Sequence, residues 1–88
     1  MNRDWLSDII TVNEAVRAEF GVPIGRNEWL NFATVGDLHE HVAFELGARS
    51  DAARSEHWPR VAAVVASATG FPADRIRPGT TFDEAFGR

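Results

Sequence analysis

Three runs of apolar residues at helical spacing, each closed by glycine, limit what this chain can fold into. In the first run, apolar side chains recur every three or four positions, at Trp5, Ile9, Val12, Val16 and Phe20. That spacing predicts one amphipathic helix over roughly residues 4–20, with Leu6 and Ile10 widening its apolar stripe. Gly21 and Pro23 follow, and these residue types are the usual signals that end a helix.

The second and third runs predict two further helices. Thr34 precedes the second run and Asp37 lies three residues on, a start that is similar to a capping box with Asp in place of Glu. The apolar members of this run are Val35, Leu38, Val42 and Leu46, and Gly47 suits the C-terminal cap. Pro59 suits the first turn of the third helix, which Gly70 closes. Its apolar members are Val61, Val64, Val65 and Ala68.

The remaining segments are predicted to be short or irregular. A brief helix is expected around residues 27–32, because three apolar residues lie within reach of one turn there, Trp29, Leu30 and Phe32. Residues 48–56 are small, polar and charged, and we interpret them as a linker or a frayed helix continuation. After Gly70 a long loop carries four apolar anchors, Phe71, Ile76, Phe82 and Phe86. No alternating pattern indicates a strand, so the sequence predicts an all-α bundle of three longer helices and one short one.

The length and charge of the chain narrow its class. Its 88 residues make one small domain, which buries only about 60 to 65% of its unfolded surface. Thirteen acidic residues and nine arginines give a net charge of −4, which argues against nucleic-acid binding and favours basic partners.

The absence of cysteine excludes disulfides and thiolate metal sites. No apolar run suits a signal peptide or a membrane span, so we expect a cytoplasmic protein.

Two segments of the chain resemble opposite halves of the acyl carrier protein family. Residues 19–42, EFGVPIGRNEWLNFATVGDLHEHV, are similar to its back half: a helix ending in Glu-Phe, a Gly-x-x-Ile loop, a short helix and a last helix opening with Thr-Val-x-Asp-Leu. Residues 61–87, VAAVVASATGFPADRIRPGTTFDEAFG, resemble its front half: the first helix, Gly, an acidic loop, Ile, Pro and a Phe-x-x-x-x-Gly run. The two halves are complementary but stand in reverse order.

The resemblance implies a small four-helix bundle of acyl-carrier-protein type over residues 1–88. Residues 1–47 resemble the second to fourth helices of the family, and residues 57–88 resemble its first helix and long loop. The segment 48–56 would then join the original chain ends, giving a circularly permuted domain. In the alternative, residues 57–88 complete the bundle of a neighbouring chain, giving a domain-swapped homodimer.

The family attaches 4′-phosphopantetheine to a serine in an Asp-Ser-Leu motif at the start of its second helix. The corresponding stretch here is DWLSD, residues 4–8, in which Trp5 stands at the serine position of that motif. Counting back from Phe20 places the family's serine at about Leu6, one residue before Ser7. The resemblance therefore implies Ser7 as the candidate attachment site. The alternative is that Ser7 is a helix N-cap or an exposed first-turn hydroxyl.

The resemblance also implies what the protein does. It would carry acyl or peptidyl intermediates between enzymes of fatty-acid, polyketide or related biosynthesis, without being an enzyme itself. Docking on basic patches of those enzymes would use the first helix, through Asp4, Trp5, Asp8 and Glu14. Two alternatives stay open: the acidic residues form an ordinary solvated face, or the chain is a protein-protein interaction module that lacks the phosphopantetheine arm.

The histidines are not expected to bind a metal. His39 and His41 lie two positions apart on one helix and therefore point to different faces, unlike an i, i+4 pair of zinc ligands. Solvent exposure is the expectation for both. His57 precedes Pro59 and is expected at the start of the third helix.

Overall fold

The structure, a computed structural model, describes residues 5–87, and most of these residues are helical. In order along the chain its helices are α1 (Trp5–Phe20), α2 (Arg26–Leu30), α3 (Val35–Glu45), α4 (Asp51–Thr69), a 3-10 turn (Ala73–Arg75) and α5 (Phe82–Ala85). Within the described range the only β-type pairing is an isolated bridge between Thr34 and Thr81. The prediction of three longer helices without strands is confirmed, and the long loop contains two further helical turns.

The predicted apolar runs form the core. On α1, Ile9, Val12 and Val16 are buried, as the helical spacing requires. The other buried members of the same cluster include Val35, Leu38 and Val42 of α3, Val61 and Val65 of α4, and Ile76, Phe82 and Phe86 of the C-terminal segment. The helix α4 packs against both α1 and α3 of its own chain, so it is the central element of the bundle.

A capping box opens α3. The Asp37 backbone N–H donates to the Thr34 hydroxyl (3.2 Å), and the Asp37 carboxylate accepts from the Thr34 backbone N–H (3.1 Å). The same carboxylate oxygen also accepts from the Ala33 N–H at 2.8 Å. These contacts confirm the start predicted from the sequence, in which the shorter Asp replaces Glu.

The first turn of α3 also binds the C-terminal segment, residues 76–82. Two backbone hydrogen bonds join them, from the Val35 N–H to the Thr80 carbonyl (2.8 Å) and from the Gly36 N–H to the Pro78 carbonyl (2.8 Å). A third, from the Phe82 N–H to the Ala33 carbonyl (3.1 Å), forms just before the helix. An isolated helix leaves its first N–H groups without partners, and here carbonyls of residues 76–82 satisfy two of them. Residues 76–82 therefore supply hydrogen-bond acceptors that the first turn of α3 cannot find within its own helix.

Aromatic contacts then fix α5 and α2. Thr81 caps α5 in a second capping box with Glu84. The Phe82 ring meets the Trp29 ring edge-on, with centroids 5.6 Å apart, and Trp29 also meets Phe32 edge-on at 5.3 Å. Edge-to-face packing at this distance is favourable for aromatic pairs. Phe82, one of the apolar anchors of the long loop, thus packs onto the short helix predicted around residues 27–32.

The linker predicted for residues 48–56 is wrong from Asp51 onward, because α4 begins there. Ser50 is the N-cap, and its hydroxyl accepts a hydrogen bond from the Ala53 backbone N–H at 3.1 Å. Asp51 also pairs with Arg54 within the first turn. An N-cap, an acidic first turn and several alanines favour a helix without any apolar stripe. Pro59 accordingly lies inside α4 and not in its first turn.

The expectation that His39 is solvated is also wrong, because the early start of α4 covers it. Only 9% of His39 is exposed. Its Nε2 lies 2.7 Å from the Arg54 carbonyl oxygen, and its ring meets Trp58 edge-on at 5.4 Å. His41 lies elsewhere, half-buried against the Phe32 ring. The prediction that the two histidines point to different sides is confirmed.

No helix within residues 5–87 is both long enough and apolar enough to cross a membrane.

Replacement of Gly36 by alanine should destabilise the fold. A Cβ at this position would lie 2.7 Å from the Pro78 carbonyl oxygen, which is the acceptor of the Gly36 N–H. Because that atom is backbone, relief requires the C-terminal segment to move away from α3. We expect Gly36→Ala to lower the free energy of unfolding by about 1–3 kcal/mol, measured by urea denaturation.

Gly79→Ala is the matched control, since it adds the same methyl group to the same loop. Nothing lies within 4 Å of a Cβ built at Gly79. Its effect on the free energy of unfolding should stay within about 0.5 kcal/mol. Equal losses in the two variants would contradict a specific close approach between Gly36 and Pro78.

Candidate functional site

The candidate attachment residue, Ser7, is exposed in the first turn of α1. The helix begins at Trp5, so Ser7 lies inside it and is not its N-cap. The backbone carbonyl of Ser7 accepts a hydrogen bond from the Thr11 hydroxyl at 3.0 Å. Of the other residues predicted here, Asp4 and the side chain of Trp5 lie outside the described part of the chain.

Asp8 does not belong to an exposed docking face, because the structure buries it. Only 6% of Asp8 is exposed, whereas Glu14 is exposed. The reason is helical periodicity: Asp8 lies four residues before the buried Val12 and therefore on the same side of α1. Of the four residues predicted to bind partners, Glu14 alone is described as exposed.

A stripe along the outer face of α1 replaces the predicted docking set. Its members are exposed and are spaced by three, four and three residues, Ser7, Ile10, Glu14 and Arg17. This spacing keeps them on one side of the helix, away from the buried Val12 and Val16. We call this set the outer stripe. It places a hydroxyl, an apolar side chain and two opposite charges in line.

Ile10 is the member that sequence reasoning placed on the wrong side. The sequence pattern predicts that Ile10 widens the apolar stripe of α1, yet 48% of this residue is exposed. The signal for its true position was available, because Ile10 lies three residues after Ser7 and two before Val12, so it cannot share the face of Val12. Ile10 is thus a half-exposed apolar side chain on the same side of α1 as the exposed Ser7.

A groove of about 430 Å³ lies between α1 and α4. Its lining is mostly small, and consists of Ala15, Ala18, Glu19, Arg60, Ala63, Val64 and Ser67. Glu19, near the end of α1, pairs with Arg60 of α4 at this groove. Small residues on both helices leave the space open.

An arginine of α4 holds the end of α1 at this groove. The Arg60 guanidinium donates to the Glu19 carboxylate, with Nη2–Oε2 at 2.9 Å and Nε–Oε2 at 3.0 Å. It also bonds the Glu19 backbone carbonyl at 3.2 Å and lies 4.8 Å from the centroid of the Phe20 ring. The charges lining the groove are therefore paired with each other, and the guanidinium also makes a cation-π contact.

Among residues 5–87 no group of three or more His, Cys, Asp or Glu side chains is arranged to hold a metal ion.

No protein-family model, no curated protein and no solved structure matches this chain.

The exposure of Ser7 predicts that its side chain is dispensable for folding. Alanine has the higher helix propensity, and surface substitutions of this kind change stability by no more than about 0.5 kcal/mol. Ser7→Ala should therefore keep the circular dichroism spectrum and the urea midpoint of the wild type. A loss of several kcal/mol, on the order of a core truncation, would mean that Ser7 is structural.

Proposed function

We propose that this chain is an acyl carrier protein-like domain in which Ser7 bears 4′-phosphopantetheine. It carries acyl or peptidyl intermediates for fatty-acid, polyketide or related biosynthesis in the cytoplasm, and is not itself an enzyme. The observation that carries the proposal is the exposure of Ser7 in the first turn of α1. The sequence resemblance assigns the phosphopantetheine arm to the start of this same helix.

The local chemistry suits a phosphodiester at Ser7. The first turn of a helix presents backbone N–H groups without intrahelical partners, and the helix dipole favours negative charge there. A phosphate attached to Ser7 would lie in that field. Because Ser7 belongs to the outer stripe, an arm attached there would project away from the core and could reach the active site of a partner enzyme.

The packing of α4 supports the permuted arrangement over the swapped one. Within this chain α4 lies against α1 and α3, and residues 76–82 bind Ala33 and the first turn of α3 through three backbone hydrogen bonds. The segment that resembles the front half of the family therefore packs against the segment that resembles the back half within one chain. We accordingly propose a circularly permuted monomer as the working form.

The outer stripe is the proposed docking face for partner enzymes. Glu14 would meet a basic group, and Ile10 an apolar spot, while Ser7 faces the catalytic groups. Asp8 is buried and takes no part. Charge pairs at such a face contribute more to the rate of association and to specificity than to affinity.

The second candidate function is an interaction module without an arm. The half-exposed Ile10 favours it, since an apolar side chain on an otherwise polar face suits a protein partner whether or not Ser7 is modified. The sequence also has Trp5 at the serine position of the family motif. Both functions use the outer stripe, so covalent modification distinguishes them.

The deciding experiment is intact mass spectrometry after incubation with coenzyme A and a broad-specificity phosphopantetheinyl transferase. The expected result is a mass increase of one phosphopantetheine group in the wild type and none in Ser7→Ala. Ser55→Ala is the matched control, because Ser55 is an exposed serine on α4, away from the outer stripe, and should be modified like the wild type.

A folded wild type that gains no mass would overturn the carrier proposal and leave the interaction module. A gain in mass that persists in Ser7→Ala would mean that another serine holds the arm. Peptide mapping of the modified protein would then identify it.

A further inference from the structure

Pro59 divides α4 into two parts that differ in burial and in their contacts with the rest of the fold. It is the ninth of the 19 residues of the helix. Proline has no backbone N–H, so the carbonyl of Ser55, four residues earlier, receives no hydrogen bond from position 59. The hydrogen-bond ladder therefore lacks one bond next to the boundary between residues 51–58, which we call the strap, and residues 60–69.

The two parts differ in burial. In the second part Val61 and Val65 are fully buried and Ala62 is 8% exposed. In the strap no side chain is buried, and the most enclosed ones, Ala53, Arg54, His57 and Trp58, are half-buried. Segments with few buried apolar contacts are those that open locally at low free energy.

One buried side chain of α3 fastens the strap. The His39 Nε2 lies 2.7 Å from the Arg54 carbonyl oxygen, and the His39 ring meets Trp58 edge-on. Because a carbonyl can only accept, Nε2 must carry the hydrogen. The neighbouring pair between Arg54 Nε and Glu40 (3.7 Å) involves an exposed carboxylate and adds little. His39 is therefore the main polar contact between α3 and the strap.

We propose that the strap unfolds and refolds as a unit while the rest of α4 stays folded, and that His39 is the latch that keeps it closed. Opening replaces the tight connection between α3 and α4 with a flexible segment from residue 46 to residue 58. It also uncovers the imidazole of His39 on α3. The fold thus contains a conformational device that is independent of any group attached to Ser7.

Amide hydrogen exchange of the intact folded protein tests the strap. The reporter amides are those of residues 54–58 in the strap and 64–68 in the second part. The strap amides should exchange at least about tenfold faster, and their rates should respond weakly to low urea, because local opening exposes little surface. Equal rates with equal urea dependence in both groups would overturn the proposal.

His39→Phe tests the latch, because it keeps an aromatic ring near Trp58 but removes the donor to the Arg54 carbonyl. Strap exchange should accelerate about fivefold to tenfold, as loss of one hydrogen bond predicts, with a smaller change at residues 64–68. His41→Phe is the matched control on the same helix and should leave the strap unchanged. Equal acceleration of both groups of amides in His39→Phe would contradict a latch.

Pro59→Ala tests whether Pro59 is the hinge between the strap and residues 60–69, because this variant restores the missing backbone hydrogen bond. Alanine supplies the missing N–H for the Ser55 carbonyl, and position 59 is exposed, so no packing is lost. The two parts of α4 should then open together, and strap exchange should slow toward that of residues 64–68. Unchanged strap exchange in this variant would contradict the role of Pro59 as the hinge.

Discussion

The binding of residues 76–82 to the first turn of α3 is the interaction on which the rest of this fold depends. A helix start has N–H groups that require acceptors. Here the hydroxyl of the N-cap residue Thr34 supplies one acceptor, and the Thr80 and Pro78 carbonyls supply two from the far end of the chain. The approach is close enough that Gly36 has no space for a side chain. Backbone groups more than 40 residues apart are therefore joined without any specialised side chain between them.

The same contact indirectly orients the candidate site. Once residues 76–82 are in place, Phe82 packs on Trp29, and the Trp29 indole N–H donates to the Asn13 side-chain oxygen of α1 at 3.2 Å. A continuous path of packed groups thus runs from α5 through α2 to α1. Because Asn13 lies between Val12 and Glu14, this path fixes the rotation of α1 and hence the direction in which the outer stripe faces.

The sequence predicted the parts of the fold that rest on local periodicity, and missed those that rest on distant contacts. Helical spacing identified the buried valines of α1, α3 and α4, and local capping chemistry identified Thr34 with Asp37. The first two turns of α4 were missed because they have no apolar stripe and pack through His39 and Trp58. Asp8 and Ile10 follow their helical angle relative to Val12 and not their residue type, since the acidic side chain is buried and the apolar one is half-exposed.

The candidate site and the strap depend on different halves of α4, so the two proposals are physically separable. Arg60 follows Pro59 directly and holds the end of α1 through Glu19 and Phe20, while Val61 and Val65 lie in the shared core. The strap contacts α3 through His39. The contacts of Arg60 with Glu19 and Phe20 lie after the hinge, so opening of the strap would leave this attachment of α1 in place. The strap could therefore change the connection between α3 and α4 without moving Ser7.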